Sequence, residues 1–129
     1  MAVSYILTER GNPGNPTAAK KFYAQPKSSG ELTFRKLGKE IAEGSTTVSD
    51  TDVVAVLNDL IKVLRRHLAD GKIVRLGEFG AFQIGFGSTG AESEAKFNAS
   101  MIRKPKVVFR PGTDLKEMLP TLKYTKAAK

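Results

Sequence analysis

The chain opens on Val3-Ser4-Tyr5-Ile6-Leu7-Thr8, a run of β-branched and aromatic residues that reads as a strand. Gly11-Asn12-Pro13-Gly14-Asn15-Pro16 is a dense cluster of turn residues, and Lys21-Phe22-Tyr23-Ala24 supplies the returning strand of a hairpin. Pro26 to Gly30 punctuates the chain again. Phe34, Leu37 and Ile41 then recur at spacings of three and four, which predicts a first helix capped by Thr33 and ended by Gly44 to Thr47. In Ser49-Asp50-Thr51-Asp52 an acid stands three residues after a serine, close to a capping box, with negative charge where a helix dipole favours it. The second helix runs from there to about Ala69. Val53, Leu57, Leu60, Ile61, Leu64 and Leu68 form its main stripe, and Val56 and Val63 widen it. The small first helix covers only part of so broad a stripe, so a partner subunit is expected to complete the burial.

Gly71 suits a helix C-terminus. A strand over Lys72–Leu76, a tight Gly77-Glu78-Phe79-Gly80 turn and a second strand over Ala81–Phe86 follow. From Gly87 to Ser100 the residues are polar and small, consistent with a mobile loop or an extended arm. Met101 to Arg110 reads as a strand in which Pro105 must lie at an edge or a bulge. Pro111-Gly112 precedes Thr113, the expected cap of a short helix over Asp114–Leu119 that Pro120 stops. Leu122 to Thr125 is a candidate final strand.

Charge sharpens this outline. The formal net charge is +8. It divides as +3 over residues 1–30, −1 over residues 31–70 and +6 over residues 71–129. The helical middle is near neutral, and the excess lies on the strand-rich half and the termini. Such a surface concentrates polyanions, although a solubilising role explains the charge equally well. There is no cysteine, which excludes disulfides and thiolate metal sites. No apolar run approaches the roughly 18–20 residues of a membrane span. Met1 to Gly14 lacks the basic and apolar regions of a signal peptide, so the expected location is cytoplasmic.

Three blocks carry a family resemblance: Gly71-Lys72-Ile73-Val74-Arg75-Leu76, Gly77-Glu78-Phe79-Gly80-Ala81-Phe82 and Phe109-Arg110-Pro111-Gly112. Singly each is a weak glycine-aromatic motif. In this order and spacing, from about Thr33 to Leu119, the chain resembles the HU/integration host factor family of bacterial histone-like proteins. The resemblance implies an α+β fold: an intertwined homodimer with a helical base, a β-saddle and arms that embrace the DNA minor groove. It also implies a nucleoid location. Phe79, Phe82 and Phe109 then fill the core and dimer interface, as large aromatics beside glycine turns usually do. Residues 1–30 have no counterpart in short HU proteins and are expected to form a β-hairpin extension. Residues 31–119 are the HU-like domain, and residues 120–129 a basic C-terminal tail. The extension's role is open: extending the sheet, covering an edge or recruiting a protein.

The arm departs from the family pattern. Family arms are rich in Arg and Lys and carry a proline near the tip that wedges between base pairs. Gly87 to Phe97 has one Lys, two Glu and no Pro. Phe97 either packs against the protein or substitutes as an apolar wedge. Basic residues persist on the strands. The expected DNA-binding set is Lys72, Arg75, Lys96, Arg103, Lys104, Lys106, Arg110 and Lys116. Arg110 matches the family's basic residue before Pro-Gly; the others rest on position and charge, and solvated strand faces account for any one of them as well.

Other signals point nowhere. Gly85 to Gly90 fits G-x-G-x-x-G, but no helix opens after it to meet a pyrophosphate. His67, the single histidine, follows Arg65-Arg66 near a helix end and has no carboxylate cluster around it in sequence. No catalytic residues, cofactor, metal, small-molecule substrate or membrane is expected. The leading expectation is non-enzymatic, mainly non-sequence-specific binding of duplex DNA by a homodimer. The alternative is an interaction or structural module that kept the scaffold and lost DNA binding or bending.

Overall fold

The structure, a computed structural model, describes residues 1–44 and 47–128. Among the described residues six strands form two separate three-stranded sheets, and three α-helices accompany them. In chain order they are β1 (Val3–Arg10), β2 (Lys21–Lys27), α1 (Phe34–Gly44), α2 (Asp50–Ala69), β3 (Val74–Leu76), β4 (Gly80–Ser88), β5 (Ile102–Pro111), α3 (Thr113–Met118) and β6 (Tyr124–Lys126).

The helix ends follow local chemistry. The Thr33 hydroxyl accepts from the Lys36 amide at 3.4 Å, and the Ser49 hydroxyl from the Asp52 amide at 3.2 Å, so each satisfies an orphan donor of its first turn. Of the Gly44–Thr47 stretch expected to end α1, Ser45 and Thr46 lie outside the described residues. At the far end of α2, Gly71 takes φ +80°, its amide donates to Leu68 at 3.0 Å, and the Lys72 amide reaches back to His67 at 3.1 Å. This is a Schellman closure, which a residue with a Cβ enters only under strain. The two helices approach closely because Gly38 is buried: a Cβ there would lie 2.7 Å from Val54 Cγ2.

The first sheet has the order β2-β1-β6. β1 and β2 pair antiparallel, with Tyr5 opposite Pro26, Leu7 opposite Ala24 and Arg10 opposite Lys21. β6 runs parallel to β1, Val3 opposite Tyr124, so residues near the two ends of the chain share one sheet. Alternation sorts its side chains. Val3, Tyr5, Leu7, Phe22, Ala24, Pro26 and Tyr124 share one mainly apolar face with Glu9 and Lys126, while Ser4, Thr8, Arg10, Lys21, Tyr23, Gln25 and Lys27 lie on the other with Ile6.

The second sheet has the order β3-β4-β5, all antiparallel. Its register slips between Gly85 and Gly87, opposite the segment where Lys104 adopts φ 54°. Pro105 therefore sits on an edge strand beside a bulge, the two places that tolerate its missing N–H. The expected mobile loop or extended arm is different in form. Strand pairing ends at Ser88 and Ile102, and the tip closes through single 3₁₀ turns at Glu94–Lys96 and Ala99–Met101. The Thr89 amide donates to the Met101 carbonyl at 3.0 Å, sealing the base of the tip.

Little of the chain is covered. Among the described residues Leu64 and Ala81 are the buried hydrophobic side chains, and no large side chain is fully enclosed. Val56 on α2 remains 65% exposed, and Leu60, Ile61 and Val63 are exposed with it.

Candidate nucleic-acid interface

The register of β3, β4 and β5 gathers basic residues on one face, with Val108 between two of them. Arg75 pairs with Ala81, and Ala81 with Arg110, so the two guanidinium-bearing residues flank a methyl on one face. Along the same face Gly85 opposes Lys106, and beyond the bulge Gly87 opposes Arg103. Residues paired across antiparallel strands project to the same side. Arg75, Arg103, Lys106 and Arg110 therefore line one face of the sheet. The central strand gives that face only Ala81, Gln83, Gly85 and Gly87, which leaves room for long flanking side chains. A Cβ on Gly85 would lie 3.4 Å from Lys106 Cε, so the lysine stem lies over the glycine with its ammonium free to reach solvent.

The opposite face is apolar: Val74 beside Phe82, Phe82 beside Phe109, and Ile84 beside Val107. The rings of Phe82 and Phe109 are 4.7 Å apart and those of Phe79 and Phe109 5.6 Å, both pairs tilted. Ile84 and Phe86 border a cleft with Leu68 and Ala69 from the end of α2.

The glycine-phenylalanine and proline-glycine blocks meet at one joint. Gly112 donates from its amide to Phe79 at 2.8 Å, and Asp114 to Glu78 at 3.2 Å. Thr113, expected as the cap of α3, is its first residue; Gly112 occupies the cap position, and the Thr113 hydroxyl donates to the Glu78 carboxylate. A Cβ on Gly112 would fall 2.2 Å from the Glu78 carbonyl oxygen, and one on Gly80, at φ +156°, 2.6 Å from that of Arg110. These contacts are why the blocks need glycine.

The joint brings α3 beside the basic face. Arg75, Arg110 and Lys116 line one cavity of about 500 Å3, together with Gln83 and Thr113. Glu78 is the carboxylate that lines it, leaving an excess of positive charge facing an open concavity, an arrangement that favours anions. The remaining expected residues stand apart from this group. Lys72 pairs with Asp70 at 3.5 Å, and Lys96 with Glu92 at 2.7 Å in the tip. Lys104 lies in the bulge. Sequence reading assigned Gln83, Thr113 and Glu78 no part in the site, because their place here depends on strand register and on the joint.

A helical pair joined to an antiparallel sheet, a Gly-Phe turn and a short helix after Pro-Gly defines an HU-type α+β fold. The chain belongs to the HU-HIG family, described as an HU domain fused to a winged helix-turn-helix, an immunoglobulin-like or a glycine-rich motif; the match covers residues 1–126. The HU resemblance read from the three blocks is thus borne out. A crystal structure from Bacteroides vulgatus, of a protein described as a bacterial DNA-binding protein, is similar with a TM-score of 0.64 at 13% identity. The similarity covers 97% of this chain and 48% of that one, so the chain spans about half its length. The HU of an Anabaena HU–DNA cocrystal gives a TM-score of 0.49 at 18% identity, over 68% of this chain and 97% of that one. No curated protein sequence matches the chain.

Proposed function

We propose that the protein is a homodimeric, histone-like DNA-binding protein that recognises duplex shape and phosphates with little sequence preference. The observation that carries this reading is the convergence of Arg75, Arg103, Lys106 and Arg110 on one sheet face, with Lys116 joining two of them around a cavity. Phosphate contacts of this kind supply affinity without base discrimination. Lys72, Lys96 and Lys104 have the weaker case, since two of them have acidic partners and the third sits in a bulge. Residues 31–119 form the DNA-binding unit in this reading, residues 1–30 and 120–129 the flanking one, and the site of action is the nucleoid.

Dimerisation is supported by how little one chain buries. A helix of 20 residues with apolar side chains around much of its circumference, and with Val56 and Ile61 exposed, needs a second surface. An intertwined partner would cover it. Among the described residues no helix is long and apolar enough to cross a membrane, so that face does not read as a lipid-spanning one.

Binding measured over a salt series on linear, bent and nicked duplexes tests the proposal. Affinity should fall steeply with salt. With all five cations of each protomer on phosphates, the slope of log K against log salt approaches about −9. Arg103→Glu with Lys106→Glu should weaken binding without unfolding the protein. A folded dimer that ignores duplex DNA at low salt would overturn the reading in favour of an interaction module on the same scaffold.

A further inference from the structure

The first sheet carries a second cationic face that the HU-type site does not use. Arg10 and Lys21 are directly opposed across β1 and β2, and Lys27 projects from the same face further along β2. All three are exposed. Like charges placed directly opposite each other destabilise a strand pair. The one acid of the hairpin, Glu9, pairs with Phe22 and so lies on the other face. Among the described residues there are two ion pairs, and neither involves Arg10, Lys21 or Lys27. The hairpin thus holds a repulsive pair without relief from its own chain.

The neighbours on this face are suited to a polar ligand. Tyr23, 48% exposed, lies between Lys21 and Lys27 with Thr8 opposite it. Hydroxyls and amides beside Lys and Arg are the side chains that commonly contact phosphate and sugar. Lys27 lies six residue steps along the strand from Lys21, a span of roughly 20 Å at strand rise. Over that length one strand of a duplex presents about six phosphates at 3.4 Å of axis each. Apart from Ile6, which is itself exposed, the aliphatic residues of the sheet turn the other way, so this face has little core to cover.

We propose that the Arg10, Lys21 and Lys27 face of the first sheet is a second phosphate-binding surface, which engages duplex DNA beyond the length held by the basic face of β3, β4 and β5. The inference rests on the DNA-binding reading above and extends it to a part of the chain outside the HU-like sheet. A bound phosphate backbone supplies the counter-charge that the Arg10–Lys21 pair lacks. The hairpin then contributes to affinity and site length, and not to base recognition.

The test compares the full chain with a triple variant, Arg10→Gln, Lys21→Gln and Lys27→Gln, in a salt series on a long duplex. Losing three phosphate contacts should lower affinity at least tenfold near 0.1 M salt and reduce the salt slope by about three per protomer. The far-UV spectrum should hold and the thermal midpoint should not fall, because the Arg10–Lys21 repulsion is removed. An Arg103→Gln, Lys106→Gln variant separates the two surfaces. If it loses binding while the triple variant keeps wild-type affinity and slope, the DNA reading survives and the second surface is overturned. If the unmodified protein binds no duplex, both fall together. Retained duplex binding with lost retention on polyglutamate would make the face a protein-docking surface, which also overturns the proposal. Lys21→Glu gives an independent readout: it should raise the thermal midpoint of the DNA-free protein, by pairing with Arg10, while weakening DNA binding. A raised midpoint with unchanged affinity would mean that the pair has only a structural role.

Discussion

Glu78 occupies an awkward position for a residue at a cationic cavity. Its carboxylate accepts from Thr113 and its carbonyl from the Asp114 amide, so it ties the turn between β3 and β4 to the start of α3. The same carboxylate shares a cavity with Arg75, Arg110 and Lys116 and competes with any incoming phosphate. Glu78→Gln keeps an acceptor for Thr113 and removes the charge. DNA affinity at low salt should rise about two- to fivefold, the equivalent of a surface charge interaction of roughly 0.3–1 kcal/mol, with little change in a urea melt. Gly112 is less forgiving. Its φ of −87° is ordinary, so the objection to a side chain is purely steric: the Glu78 backbone is in the way. Gly112→Ala should cost about 1–3 kcal/mol of stability by denaturant unfolding, as overpacking usually does. An unchanged midpoint would show that the joint is looser than these distances imply.

At the scale of elements, α2 was readable from its stripe and from Ser49. Ser49→Ala should cost about 1 kcal/mol in a urea titration, because the Asp52 amide loses its acceptor. The strands flanking the Gly-Phe turn were readable from the same blocks that carry the family resemblance. The segment between β4 and β5 was legible only as polar. Its 3₁₀ turns and the bond from Thr89 to Met101 depend on contacts between its two ends, which no periodicity reports. Glu92 and Glu94 stand in this tip, and proline does not. A tip of this kind has no proline wedge to unstack a base step, so the protein should bend a short duplex little. Energy transfer between dyes at the duplex ends should change only slightly on binding; a large change would assign the bend to another element.

For the molecule as a whole, the exposed flank of α2 is the surface that the proposed dimer would seal. Val56 and Ile61 are each exposed, and a charge on either costs a lone chain little. In a dimer that seals this flank, Val56→Asp with Ile61→Asp places buried, unpaired carboxylates at the interface. Sedimentation should then report a dimer for the unmodified protein, and monomers or unfolded chain for the variant at the same concentration. A variant that remains a stable dimer would move the interface elsewhere.

Local rules in the chain were enough for the helices, the caps of α1 and α2, the order of the strands and the family. Apolar spacing, capping residues and glycine positions act over a few residues, and the three motif blocks keep their order whatever the packing. Two matters required the tertiary structure. Which basic residues share a face depends on the pairing of β3, β4 and β5 and on a bulge beside Pro105; a slip of one residue would have turned every one of them over. The joining of β1 to β6 depends on a parallel pairing between distant parts of the chain, Val3 to Tyr124, for which neither strand carries a local signal. Side-chain direction and long-range pairing are set by register, and register is a property of the folded sheet.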